Sequence, residues 1–418
     1  MSPRTRRGGI GETRDPDAPG DSVRARRAVS LCFLVNGALL ASWVPHIPDL
    51  KSRLDLGDSA LGWLLLAMAG GAIGALPLAG WLVGRLGSRT VTSASAATLS
   101  ASLVLPVLAP SVSSSAAALV LLGASNAALD VAMNVQGAMV EDRYRRPIMS
   151  SFHALFSLGG LIGAVVAGAA MAAGVSAVAH VAAVGLLSLA AMAVARAGLL
   201  LSEPRRLREP VFALPPANLV ALGILTFCAL LAEGAIGDWS AVYLRDSVRS
   251  TPALAAMGFA TFSLAMALGR FAGDGLVHRL GPVRLVRCSG VLAAAGLAAA
   301  LISGRALPTL VGFALVGAGL ANLIPVLFSA AARTPEVAAE TAIAAAATTG
   351  YVGFLVGPPL IGFAAEVAGL RTALGIVCVA CAVVAVGATI IQPSRAVAFP
   401  PSQIGREGTG GTRRITHG

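Results

Sequence analysis

Leu82-Val83-Gly84-Arg85-Leu86-Gly87 comes back as Leu276-Val277-His278-Arg279-Leu280-Gly281, with every repeated residue 194 positions on. Working outward, Gly123-Ala124 returns as Gly317-Ala318, and Gly159, Gly163 and Gly168 return as Gly353, Gly357 and Gly362. Glycine matches alone mean little in a chain with 48 glycines. A constant offset that also holds a charged loop marks an internal duplication. Nearer the start, Asn36-Gly37-Ala38 matches Glu233-Gly234-Ala235 at an offset of 197. The chain reads as two related halves.

Composition decides the solvent of those halves. Hydrophobic residues make up 56% of the chain, charged residues only 12%, and the mean hydropathy is +0.79. A soluble domain is about 45–50% apolar with glycine already counted and about 25% charged. A water-soluble enzyme, a disordered chain and a disulfide-stapled scaffold are all excluded. The apolar runs lack period-two alternation, so they are membrane helices rather than barrel strands. The net charge of +11 would suggest nucleic acid in a soluble protein. Here the basic residues sit between apolar blocks, so their partner is the anionic lipid surface, not nucleic acid. Lys51 is the only lysine among 31 basic residues, a codon bias that points to a GC-rich bacterial genome. Cys32, Cys228, Cys288, Cys378 and Cys381 fall in or beside apolar segments and read as small packing residues.

Windows of about 20 apolar residues recur along the chain. The spacing predicts spans over 28–48, 59–83, 90–109, 115–140, 148–173, 175–201, 218–243, 253–277, 285–303, 307–332, 341–365 and 369–392. The expected organisation is a disordered tail (1–27), a six-helix bundle (28–201), a linker (202–217), a second six-helix bundle (218–392) and a second tail (393–418). Residues 1–27 lack the apolar core and cleavage site of a signal peptide. The tails and even-numbered breaks carry 23 of the 31 basic residues, the odd-numbered breaks only Lys51, Arg53, Arg245, Arg249, Arg305 and Arg371. Positive residues stay inside, so both termini are expected in the cytoplasm.

Two six-helix halves in parallel repeat resemble the major facilitator type of transporter. Gly80 to Arg89 is similar to that family's signature loop, with Gly80, Arg85, Gly87 and Arg89 in place and Gly84 where the signature has aspartate. In the second half Asp274 follows Arg270 by one turn, close enough for an i,i+4 pair. Val44-Pro45-His46-Ile47-Pro48-Asp49-Leu50-Lys51 and Leu129-Asp130-Val131-Ala132-Met133-Asn134 resemble the first and fourth helices of fucose–proton symporter relatives. Glu233-Gly234-Ala235-Ile236-Gly237-Asp238-Trp239-Ser240 looks like a bacterial inner-membrane branch near them. The resemblance covers residues 28–392. It implies an all-α membrane protein of twelve transmembrane helices in two pseudo-symmetric bundles, with helices one, four, seven and ten lining a central cavity.

Polar groups deep in membrane helices are expensive and functional by default. At 1.5 Å per residue, Asn36, Asp130 and Asn322 lie roughly 14–16 Å deep, and Glu233 somewhat further out. These four come one from each helix that the resemblance assigns to the cavity. Asn126, Asp130 and Asn134 follow at i, i+4 and i+8, a single polar stripe. A carboxylate facing a low-dielectric cavity suits a proton carrier, and Asp130 stands, by resemblance, at the symporters' fourth-helix acid. Those symporters carry an acid in the first helix as well; Ser30–Pro45 has none, and Glu233 is the candidate replacement. Asn36, Asn126, Asn134, Glu233, Asn322 and Tyr351 are expected to contact the solute, and Arg85, Arg89, His153, Arg270 and Asp274 to serve gating. His153 reads equally as a packing histidine. Asp238 and Trp239 are expected near the outer surface, Trp239 as an interface anchor. His46 and Asp49 shape the outer end of helix one.

No phosphate loop, metal-ligand cluster or nucleophile constellation is present, which leaves ATP-driven transport, catalysis and a resident cofactor without residues. The expected function is secondary active transport by alternating access: proton-coupled movement of a small, sugar-like solute across a bacterial inner membrane by a monomer. Proton-linked efflux of drugs or metabolites is the alternative. Against it, Gly159 to Gly163 is followed by Ala164, where antiporters of the superfamily tend to carry Gly-Pro. A non-transporting sensor on the same fold is an alternative of another class.

Overall fold

The computed structural model describes residues 19–144, 148–201, 219–334, 337 and 339–391. The expected linker and most of both expected tails lie outside these residues. Among the described residues twelve helices are long and apolar enough to cross a membrane. In chain order they are α1 (Ser22–Arg53), α2 (Asp58–Leu86), α3 (Ser88–Leu108), α4 (Val112–Tyr144), α5 (Ser151–Ala172), α6 (Ala177–Arg196), α7 (Val220–Ser247), α8 (Pro252–Gly273), α9 (Pro282–Ser303), α10 (Ala306–Ala331), α11 (Ala345–Ala368) and α12 (Leu370–Ile390). An even number of crossings starts α1 and ends α12 on one face, the termini face; the opposite one is the far face. Large apolar side chains stand on the outside: Ile302 is 81% and Val367 89% exposed. That is the surface of a protein whose solvent is lipid.

The repeated glycines set the packing. With so little hydrophobic force between helices in lipid, close van der Waals contact decides association, and a missing Cβ lets backbones meet. Gly123 brings α4 onto Met68 and Ala72 of α2, and Gly317 brings α10 onto Phe262 and Met266 of α8. Gly159 and Gly163 bring α5 onto Leu34 and Ala38 of α1; Gly353 and Gly357 bring α11 onto Phe227 and Leu231 of α7. The halves join by the same device. Gly168 of α5 meets Ala253 and Ala256 of α8, and Gly362 of α11 meets Asp58 and Gly62 of α2.

The Leu-x-Arg-Leu-Gly frame has a backbone cause. Gly87 and Gly281 have φ of +80° and +72°, the left-handed region that glycine enters without strain. Each donates its N–H to the residue four before it, Val83 or Val277, closing one helix and opening the next.

Several helices differ from the expected spans at their ends, α6 stopping at Arg196 and α4 running on to Tyr144, and three differ in form as well. The first span continues past residue 48: α1 tightens into a 3₁₀ turn at Val44–His46, with Pro45 inside it, and resumes over Ile47–Arg53. The seventh adds a π turn, Tyr243–Ser247, so it ends four residues later than expected. The tenth divides into Ala306–Leu320 and Leu323–Ala331 around Asn322.

Candidate functional site

A cavity of about 370 Å³ lies between the two halves. Its walls follow the repeat. Met68, Ala69, Ala72 and Leu76 of α2 line it opposite Phe262, Ser263, Met266 and Arg270 of α8, each pair 194 apart. Ser157 and Gly160 of α5 pair in the same way with Tyr351 and Phe354 of α11. From α1 and α7 the lining pairs are Gly37 and Leu230, Leu40 and Glu233, Ala41 and Gly234, and Val44 and Gly237. These are 193 apart, not 197. The structural equivalent of Asn36 is therefore Ala229, and that of Glu233 is Leu40.

This register corrects the expectation for Asn36. Its side chain is 1% exposed and does not line the cavity. It points into the seam with α4, where Nδ2 donates to Met133 Sδ at 3.9 Å. Asn322 is also corrected. It caps the second segment of α10, and its Nδ2 donates to the Gly269 carbonyl of α8 at 2.9 Å. Among the described residues α10 contributes nothing to the cavity lining.

The α4 stripe divides. Asn126 and Asp130 line the cavity. Asn134 lies behind them, and its Nδ2 donates to the Asp130 carbonyl at 2.8 Å and to Asp130 Oδ1 at 3.1 Å. Its amide thus rests on Asp130, and it is not among the residues that line the cavity. Gln136, which sequence reasoning passed over, is a clamp: its amide hydrogen-bonds Ser88 Oγ at 2.7 Å and both the N–H and the carbonyl of Leu200 at 2.8 Å.

The second half supplies Glu233, Asp238, Arg270 and Tyr351 to the cavity. Arg270, expected to pair near the end of α8, reaches into the cavity. Its guanidinium turns inward, with Nη2 3.7 Å from Glu233 Oε1 and Nη1 donating to Ser157 Oγ at 2.6 Å. One cation thus links α8, α7 and, across the interface, α5. The side chain of Asp274 lies outside the described residues. Asp238, expected near the outer surface, lines the cavity because α7 runs nine residues beyond it. Its neighbour Trp239 is fully buried, which corrects the interface-anchor reading.

The remaining gating residues sit apart from the cavity. His153 rests edge-on against Phe33 of α1, ring centres 5.2 Å apart. Arg85 stacks on Trp81 at 5.2 Å, and Arg89 Nε is buried without a hydrogen-bond partner. No described ion pair ties either arginine to the second half.

The far face is held shut. Lys51 pairs with Asp58 at 2.6 Å within the first half and with Asp246 of the second at 2.5 Å. Asp49 lies 3.8 Å from Arg245. Glu366 accepts from the Ser59 N–H at 3.3 Å, and Trp63 meets Phe363 edge to face. Behind these ties His46 Nε2 and His180 Nδ1 approach to 2.9 Å and share a hydrogen bond. Among the described residues no group of three or more histidine, cysteine or acidic side chains is arranged to hold a metal ion.

A repeat-built helical shell with a two-sided, largely apolar cavity that holds a few charged groups and is closed at one face has the geometry of an alternating-access carrier. The Major Facilitator Superfamily profile matches residues 29–225 and 222–410. The chain belongs to the major facilitator superfamily. It is 36% identical over 371 residues to an uncharacterized MFS-type transporter of Yersinia pestis, covering 89% of this chain and 96% of that one. It is 36% identical over 349 residues to the membrane protein MosC of Rhizobium meliloti, covering 83% and 85%. Among solved structures, the nucleoside transporter NupG superposes with a TM-score of 0.70 at 12% identity, covering 88% of this chain and 99% of that one. A bacterial homologue of the human lysosomal transporter Spinster, solved inward-facing and unoccupied, gives 0.69 at 16% identity, covering 90% and 98%. These likenesses establish the fold. The protein is a multi-pass membrane transporter of the major facilitator type.

Proposed function

We propose that this major facilitator protein is a proton-coupled secondary transporter of a small polar solute, related to the fucose–proton symporter type. In this reading it works in a bacterial inner membrane, as a monomer, with both termini in the cytoplasm. The observation that carries it is the meeting in one cavity of Asp130 from the first half with the Glu233–Arg270 pair of the second, itself tied to Ser157 of the first.

Each half brings a group whose charge the other senses. A deprotonated Asp130 is a lone carboxylate held by Asn134, and it attracts Arg270 away from Glu233. A protonated Asp130 leaves Arg270 to Glu233 and its remaining hydrogen bonds to the solute. Proton and solute binding together make the loaded centre less charged, and an uncharged centre can reorient through low dielectric at lower cost. Reorientation then parts the Lys51, Asp49 and Glu366 ties at the far face and brings α2, α5, α8 and α11 together at the termini face. Asn126 and Tyr351 hydrogen-bond the solute, and the aromatic walls cover its apolar faces.

The test is flux in proteoliposomes. Solute addition should alkalinise the side it leaves, and Asp130→Asn should abolish that signal. Solute export against an inward proton gradient would favour the efflux alternative.

A further inference from the structure

Taking the solute to bind in this cavity, as proposed above, we infer that it carries a cationic amine beside its hydroxyl groups and that Asp238 is the residue that selects it.

The cavity charges do not balance. It is lined by three carboxylates, Asp130, Glu233 and Asp238, and one cation, Arg270. Arg270 is committed to Glu233 and Ser157. Asp130 has the Asn134 amide and, in the proposed cycle, a proton. Asp238 has neither an ion pair nor a hydrogen bond among the described residues. An unpaired carboxylate inside a membrane protein is costly, and the groups that relieve it are cations and strong donors. Arg270 is not placed to do so: Asp238 lies five residues beyond Glu233 on α7, about 7.5 Å further towards the far face.

Two further groups point the same way, and neither is acidic. Trp43 is 2% exposed, lines the cavity, and its Nε1 has no acceptor. Asn126 lines it too, and its buried Oδ1 has no donor. A buried donor or acceptor without a partner costs on its own account, and both atoms lie closed off within the cavity wall, so a ligand reaches them only where that wall gives. An indole N–H asks for an oxygen acceptor, and an amide oxygen asks for a hydroxyl or amine donor.

The cavity has room beside Asp238. The Phe354 ring packs over Gly234, 3.1 Å from where a Cβ would stand, but a Cβ at Gly237 would meet only the Phe259 ring, at 3.9 Å. The rings of Phe259 and Phe262 add faces that attract a cation. An aminated polyol or amino sugar suits the cavity: ammonium on Asp238, ring or chain hydroxyls on the polar side chains of its wall, Asn126 and Tyr351 among them. With that cation bound and Asp130 protonated, the centre carries no unpaired charge.

The test uses the full chain in proteoliposomes and matched probes: glucose with glucosamine, galactose with galactosamine, sorbitol with 1-amino-1-deoxysorbitol. At least one amine should bind at least tenfold more tightly than its neutral parent, as measured by thermal stabilisation and by flux. Asp238→Asn should erase that preference and Asp238→Glu should retain part of it, with both variants folding as well as the unaltered chain. Equal binding of amine and parent overturns the inference, as does an amine preference that survives Asp238→Asn. Neutral parents moving with Asp130-dependent proton coupling would sink the amine and leave the proton reading standing. Asp238-dependent amine binding with no effect of Asp130→Asn would do the reverse. Binding of no probe at all counts against both.

Discussion

In the first half Gly123 lets α4 close on Met68 and Ala72; in the second Gly317 lets α10 close on Phe262 and Met266, every partner 194 positions on. The halves are the same in how their backbones meet. They differ in what they show the cavity. Leu76 becomes Arg270, Leu40 becomes Glu233, and Ser157 becomes Tyr351. In the other direction, Asn126 and Asp130 of α4 have Leu320 and Ile324 as their counterparts, and α10 withdraws from the lining. A duplication thus holds a rigid frame in common while each copy is free to carry a different part of the chemistry.

The largest effect should come from breaking what the halves share. Gly123→Leu and Gly317→Leu each drive a side chain into a neighbouring backbone, where no rotamer offers relief. Each should cost on the order of 3 kcal/mol, with a fall in thermal stability of similar size for the two. A large fall for one and none for the other would show that the frame is not shared.

Next comes what they do not share. Arg270→Leu gives the second half the residue of the first and leaves Glu233, partly exposed to the cavity, without its cation. Losing such a pair costs about 1–2 kcal/mol of stability, and transport should fall at least a hundredfold while the circular-dichroism spectrum stays helical. Unchanged transport would remove Arg270 from the site.

Smaller again is the far-face lock. Lys51→Ala removes partly exposed pairs worth about 1 kcal/mol in all, so the far-open population should rise roughly fivefold. Spin labels on the far ends of α2 and α11 would read it as a longer distance distribution. The least effect separates two asparagines that look alike in sequence. Asn126→Ala should weaken solute binding by about 1 kcal/mol, and Asn36→Ala should leave affinity unchanged. Equal losses would put the register between α1 and α7 in question.

That last pair shows where sequence reasoning ran out. The twelve spans, the repeat and Asp130 are legible because apolar length, glycine contact and buried charge leave marks in one dimension. Asn36 was matched to Glu233 on a shared Gly-Ala, but the contacts of Gly159 and Gly353 set a register four residues different. Asp238 was placed near the surface because the extra turn ending α7 at Ser247 cannot be told from a polar loop. Arg270 has an acid one turn away on its own helix, and nothing in sequence says that its guanidinium reaches Glu233 on another. Asn322 sits at the expected depth, and only the break in α10 turns its amide to Gly269.

The most direct test of the division of labour separates solute exchange from proton-driven accumulation in Asp130→Asn. In proteoliposomes this variant should still exchange labelled for unlabelled solute, since Glu233, Arg270, Asp238 and Asn126 remain, but it should no longer accumulate solute up a gradient when an inward proton gradient is imposed. Accumulation at the unaltered protein's level, responding to pH as before, would contradict the assignment of the proton to the first half.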